Sequence, residues 1–328
     1  MNRHRAVRVA TNLAALCLSL VALSLAAVAR ADNPFETEAS RLAGEVSRAG
    51  SSPRALIPLI ELWQMSDDVR PEVMRRLVDR LANDRRLAPA TRAYARAMLA
   101  TLRLRSGEHD AARRAFDELG FVRDWRVIGP FDNEGKAGFD RLYPPEVRRM
   151  EPLDMDARYP GRERPVGWRV YPDVSVSGSV SFDAVFRPNE NVCAYAETFV
   201  ESDRPQPLTV WVGAGGAVRV WWNGEVVHED GAYRLPHIDR SVAIVGAQRG
   251  ANRLLVKVCV ADRAWGMSVR IGDAQGGPMP RGVRSISTVA TEAVAAIPAG
   301  HGGQRLPAAP PSALRALEDA ARGEQASA

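Results

Sequence analysis

The stretch VRVWWNGEVV, Val218 to Val227, sets two adjacent tryptophans before an Asn-Gly dipeptide and decides how the second half of the chain folds. Asn-Gly between alternating apolar runs specifies a two-residue β-hairpin turn, because both central residues must adopt positive φ. Such a turn pairs Trp222 with Glu225, Trp221 with Val226, Val220 with Val227 and Arg219 with His228. Strand alternation then divides the stretch into two faces. Val218, Val220, Trp222 and Val227 form an aliphatic core face, while Arg219, Trp221, Val226 and His228 form a mixed one that suits partial exposure or packing beneath a loop. The two tryptophans therefore cannot make one aromatic platform. Trp221 is the ligand candidate, with Arg219 and His228 as hydrogen-bonding neighbours, beside the plain reading of a buried indole. Trp265, following a polar turn, is a second candidate.

Around this hairpin the pattern is uniformly β. From "WRVIGPF" onward come "GWRVYPDVSV", "AYAETFVES", "PLTVWVGAGG", "RSVAIVG", "NRLLVKVCVA" and "MSVRIGD", short alternating runs separated by Gly, Pro, Asn and Asp. Spacing of this kind predicts an antiparallel sandwich over 122–276. Before it, residues 32–121 read as short antiparallel helices. Leu56, Ile57, Ile60 and Trp63 make one helical stripe, Val73, Met74, Leu77, Val78 and Leu81 another, and Pro53, Pro71 and Pro89 stand where new helices begin. Beyond 276 the chain is Pro-, Ala- and Gly-rich. Ser312 caps a short predicted helix from Ala313 to Ala321, which looks isolated and reads as the start of a unit not completed within 277–328.

Two resemblances follow from particular residues. "RAYARAMLATLRLRSGEHDAARRAFDELG" resembles a tetratricopeptide repeat, with Gly107 at the inter-helix turn, Ala112 at the close crossing and Phe116 four residues later. The resemblance implies a surface for a peptide or protein partner. The hairpin residues Trp221, Asn223 and Gly224, followed by Gly250, Asn252, Leu254, Val256 and Val258, resemble the galactose-binding-like jelly roll of bacterial exported and glycoside-active proteins. Trp125, Gly129, Pro130 and Phe131 resemble the first strand of such modules in large exported proteins. This resemblance implies a fold more than an activity. "GAGG" at Gly213 to Gly216 departs from the acidic residues that such modules often carry before this hairpin, which weakens the expectation of a cation site in that loop.

The first 31 residues read as a secretory signal peptide: Arg3, Arg5 and Arg8, an uncharged run from Val9 to Ala29, and Ala29-x-Ala31 as the cleavage site before Asp32. Leu16 before Cys17 argues against a lipid anchor. Four of the 44 basic residues and none of the 39 acidic ones lie in this leader, so the remaining chain carries about +1 and implies no nucleic-acid partner. No stable membrane insertion is expected after cleavage, and the compartment is periplasmic or secreted. Cys193 and Cys259 are an even pair in an exported chain, compatible with a disulfide and equally with two small buried residues.

Catalytic patterns are absent from the sequence: no G-x-S-x-G, CxxC or HExxH occurs, and "GAGG" runs into a strand rather than a helix. His228, Glu229, Asp230, His237 and Asp239 are metal-capable, but their spacing matches no metal motif, so a solvated loop is expected and neither metal nor cofactor is assigned. Glu197 with Asp203, or Glu229 with Asp239, would serve glycosidic chemistry only at the right separation. The sequence thus predicts an α+β chain, helical repeat then jelly roll. Its expected role is a non-catalytic envelope binder of a glycan or protein; the alternative is the non-catalytic front part of a larger transglutaminase-like or glycan-active enzyme.

Overall fold

The computed structural model describes residues 33–172 and 175–325; the leader and cleavage site expected from the sequence at 1–31 lie outside the described residues. Five helices open the described chain: α1 (Pro34–Ala49), α2 (Leu56–Gln64), α3 (Pro71–Asn83), α4 (Pro89–Arg105) and α5 (His109–Leu119). Proline stands at N1 of α1, α3 and α4, where the missing amide costs nothing, and Pro53 starts the 3-10 turn that leads into α2. Asn33 caps α1 by accepting from the Phe35 amide at 3.0 Å. Ala39, Leu42, Ala43 and Val46 recur on one face of α1 and bury against α2 and α3.

α4 and α5 form an antiparallel hairpin. Gly107 supplies the positive φ of its turn, and Ala112 and Phe116 are buried against Ala93, Ala97 and Ala100. The chain leaves α5 through Gly120 in the left-handed conformation and immediately joins the sheet, with the Ile271 amide donating to the Gly120 carbonyl at 2.9 Å.

The strands that follow are β1 (Arg126–Asp132), β2 (Tyr159–Pro160), β3 (Pro165–Val166), β4 (Arg169–Val170), β5 (Val180–Ser181), β6 (Val192–Ser202), β7 (Gln206–Trp222), β8 (Glu225–Arg234), β9 (Ser241–Ala247), β10 (Gly250–Val260), β11 (Gly266–Asp273) and β12 (Val283–Ile286). The pairing is antiparallel throughout, and apart from the small β2–β3 pair the strands form one sheet folded into two packed layers. β7 belongs to both layers. Its first part, Gln206 to Gly215, pairs with β9 and β11; its last part, Ala217 to Trp222, pairs with β8 and β10.

The change of layer falls on "GAGG", which is a strand bend and not a loop. Gly216 has φ +113°, and a Cβ there would sit 2.1 Å from the Cys259 carbonyl oxygen. At Gly213 a Cβ would meet the His237 carbonyl at 2.0 Å, so the segment after β8 lies directly on the bend.

Between the layers lies an apolar core containing Val127, Ala194, Ala196, Val210, Val220, Trp222, Val256, Val258, Trp265 and Ile271. The outer face of the first layer is covered by the helices. There Arg270 is fully buried, paired with Asp239 at 2.6 Å and stacked 4.6 Å from Trp211, while Tyr94 of α4 reaches His237 at 3.2 Å.

The segment after 276 is more ordered than its composition predicts. It forms β12 on β6, a short helix α6 (Thr291–Ala295), and a final helix α7 (Ala313–Gln325) that extends past the expected Ala321. α7 is not isolated: Ala313 and Ala316 bury beside α2, and the Leu314 amide donates to the Arg240 carbonyl.

Candidate functional site

The tryptophan hairpin forms, but with one extra residue. Trp222 opposes Glu225 and Trp221 opposes Val226 as expected; the register then slips, so Val220 opposes His228 and Arg219 opposes Glu229. Val227 is the unpaired residue of a β-bulge. The bulge removes His228 from Arg219 and substitutes a carboxylate, which binds the guanidinium at 2.5 Å.

Each sequence-predicted site residue has a definite place. Trp222 is in the inter-layer core, its indole donating to the Gly246 carbonyl. Trp221, 4 % exposed, lies on the opposite face in a second cluster with Ile128, Phe131, Tyr143, Trp168, Tyr195 and Leu255. Trp265 is 1 % exposed, packed on Phe182 and Phe186 and donating to the Val258 carbonyl. His228 is half-buried with Nε2 unpartnered among the described residues, and burial lowers its pKa. Cys193 and Cys259, directly opposite on β6 and β10, form a buried disulfide with Cα atoms 4.0 Å apart.

Trp221 is covered by the segment between β1 and β4, and the cover is held by an ionic plug that the sequence reading missed. Tyr195, Lys257, Arg219 and Glu229 stand side by side across β6, β10, β7 and β8. Lys257 is 0 % exposed; its Nζ donates to the carbonyls of Phe139 and Arg141, each at 2.9 Å, and to Glu146 Oε1 at 2.6 Å. All three ammonium protons are thus placed.

Glu146 also accepts from the Tyr195 hydroxyl and lies 3.7 Å from the Arg219 guanidinium through its other oxygen. Burial pulls the Lys257 pKa below the ordinary lysine value, with Glu146 opposing the shift. Further along the same face, Arg253 clasps Glu197 at 2.6 Å. Burial raises the Glu197 pKa against that pairing, and Glu197 Oε1 has no partner among the described residues.

The metal-capable cluster of the sequence is dispersed into separate partnerships: Glu229 with Arg219, Asp230 with Arg234, His237 with Tyr94 and Asp239 with Arg270. Among the described residues no group of three or more His, Cys, Asp or Glu side chains could hold a metal ion. Of the carboxylates considered in pairs, Glu197 is held by Arg253, Glu229 by Arg219 and Asp239 by Arg270.

A shallow cleft of about 280 Å³ remains on the first layer, between β5, the Pro236–Ile238 segment and the start of β11. Ser179, Ser181, Asp183 and Ser268 supply its polar lining. Its wall is fixed from behind. His237 Nδ1 faces the Ile238 carbonyl at 2.8 Å and so carries the proton, leaving Nε2 to accept from Tyr94, and burial lowers its pKa.

No family model and no curated protein matches this chain. Among solved structures, a β-glucosidase from Kluyveromyces marxianus in complex with glucose aligns at 8 % identity over 45 % of this chain and 16 % of its own length, with a TM-score of 0.28. An uncultured Clostridium sp. β-glucuronidase aligns at 14 % identity over 47 % and 28 %, with a TM-score of 0.29. A family 35 carbohydrate binding module from Clostridium thermocellum aligns at 14 % identity over 27 % of this chain and 75 % of its own, with a TM-score of 0.20. The matched portion of this chain spans less than a third of either enzyme's length.

Proposed function

We propose that the chain is an exported, non-catalytic binding or scaffolding protein of the cell envelope, its sandwich contacting a glycan or protein and its helical segment docking a partner. One observation carries the reading: the buried charges on the outer faces of both layers are neutralised by the chain itself. Lys257 and Arg219 are held by Glu146 and Glu229, Arg253 by Glu197, and Arg270 by Asp239. Groups so committed serve the architecture, and contact with other molecules falls to the surface that remains.

The buried disulfide supports an oxidising compartment, in keeping with the leader at 1–31. The α4–α5 hairpin, with Gly107, Ala112 and Phe116 at its turn and crossing, is read as a single tetratricopeptide-like unit, and the sandwich as a galactose-binding-like jelly roll. A glycan array and a pull-down from envelope extract test the proposal together. Specific, saturable capture in either supports it; silence in both overturns it.

A further inference from the structure

Resting on that reading, we infer that the cleft between β5, the Pro236–Ile238 segment and β11 is a binding site for a small neutral polyhydroxylated molecule of monosaccharide size. Its volume, about 280 Å³, is room for roughly nine water molecules and lies at the low end of ligand-pocket sizes. The cleft therefore covers about one sugar ring.

The chemistry of the lining selects the class. No lysine or arginine lines the cleft, so an anion has no counter-charge there. Asp183 is the single carboxylate. Its Oδ2 accepts from the Trp265 amide at 2.7 Å and its Oδ1 from Asn189 at 3.1 Å, which uses two of about four acceptor positions. The carboxylate is thereby aimed and still able to accept from two hydroxyls in charge-assisted bonds.

Ser181 and Ser268 offer hydroxyls with no hydrogen-bond partner among the described residues, each able to donate and to accept. Paired donor and acceptor capacity fits alcohol groups better than an amine, which can only donate. Trp265 is buried beneath this rim, so the ligand is held by hydrogen bonds and by apolar contact with Ile238, Pro236 and Met267, not by stacking on an indole.

The walls are set before any ligand arrives. Gly213 and Gly266 have backbone where a Cβ would collide with the His237 and Val180 carbonyls, at 2.0 and 2.4 Å. His237 is pinned by Tyr94 on one side and the Ile238 carbonyl on the other. A wall so fixed loses little freedom on binding.

The test is a titration of the full protein with methyl glycosides of glucose, galactose, mannose and xylose, read by saturation-transfer NMR and calorimetry, with ethanolamine and gluconate as charged comparators. At least one neutral glycoside is expected to bind in preference to both comparators. Ser181→Trp, which fills the cleft, should abolish the signal; Ser268→Ala should weaken it roughly three- to tenfold, as expected for one neutral hydrogen bond. Asp183→Asn should cost about tenfold or more. Because Asp183 also holds the Trp265 amide, the two serine variants carry the test if that variant melts early.

Glycan-array capture that survives Ser181→Trp would overturn the cleft while leaving the envelope-binding proposal standing. Preference for ethanolamine or gluconate would overturn the ligand class. No titration signal together with a silent array would overturn the cleft and the glycan reading at once.

Discussion

Replacing Glu146 by glutamine tests whether the segment covering Trp221 is locked by charge. The substitution keeps the shape and removes the carboxylate hydrogen-bonded to the Lys257 ammonium, which has no exposed surface and whose other two acceptors are neutral carbonyls. Breaking a buried pair on one side costs about 3–5 kcal/mol because the surviving charge is stranded. There is a ceiling at pH 7, since Lys257 can escape by releasing its proton. An unfolded lysine titrates near 10.4, so holding it neutral at pH 7 costs about 1.36 kcal/mol per pH unit, close to 4.6 kcal/mol in all.

The sign of the pH dependence follows. In the variant the folded pKa of Lys257 falls further below the unfolded one, the unfolded state binds more protons, and stability rises with pH. The defect should shrink by up to about 2.7 kcal/mol between pH 7 and pH 9. At roughly 2–4 °C per kcal/mol, the melting temperature should fall by about 6–18 °C at pH 7 and recover in part at pH 9. Scanning fluorimetry at both pH values reads this directly, and the double variant Glu146→Leu, Lys257→Met should regain most of the loss. A melt within about 2 °C of the parent at pH 7, or a deficit that does not shrink at pH 9, would refute the ionic-plug argument.

Three further outcomes are expected. Thiol titration of the denatured, unreduced protein should find neither Cys193 nor Cys259 free, and replacing both by alanine should cost about 4 kcal/mol from the loop entropy of a 66-residue separation; a free thiol at either position contradicts the bridge. Gly216→Val should lose at least ~2 kcal/mol in a denaturant melt, since it forces a side chain into positive φ and against the Cys259 carbonyl; an unchanged midpoint would mean that β7 does not bend there. His237 has its pKa lowered by burial, so as pH falls from 7 to 5 the unfolded ring takes a proton that the folded ring resists, and folded stability drops. The stability advantage of the parent over His237→Gln should therefore narrow by up to about 2 kcal/mol across that range, measured by chemical denaturation, and a constant difference would show that the ring titrates alike in both states.

What could be read from the sequence was what is decided locally. The Asn-Gly turn needs only its own two residues, and the prolines that open α3 and α4 need only a position where no amide donor is required, so both sit where the sequence puts them. The single-residue slip at Val227 was not legible, because Val220 opposite Val227 would have satisfied the alternation equally well; Glu229 gains the Arg219 partner only through the bulge. "GAGG" reads as a loop for the same reason. Small residues in a row look like slack, whereas at Gly213, Gly215 and Gly216 the absent side chain makes room for a backbone carbonyl from another element. The tail followed suit: its composition is that of a linker, and its order comes from docking onto α2, Arg240 and β6.

The missed ionic plug did leave a trace. "NRLLVKVCV" alternates Leu254, Val256, Val258 and Val260 inward with Arg253, Leu255, Lys257 and Cys259 outward, and Lys257 is one of only two lysines in the sequence. A lysine between two valines in the middle of a central strand cannot stay buried alone, so the pattern already demands a carboxylate and a cover from elsewhere in the chain. It does not say which. Glu146 lies 111 residues upstream in a proline-rich stretch with no periodicity of its own, and only the fold brings it over β10. That cover is what turns Trp221 from a ligand candidate into part of a closed face, and it is why the surviving candidate is a rim of serines and one aspartate and not an aromatic.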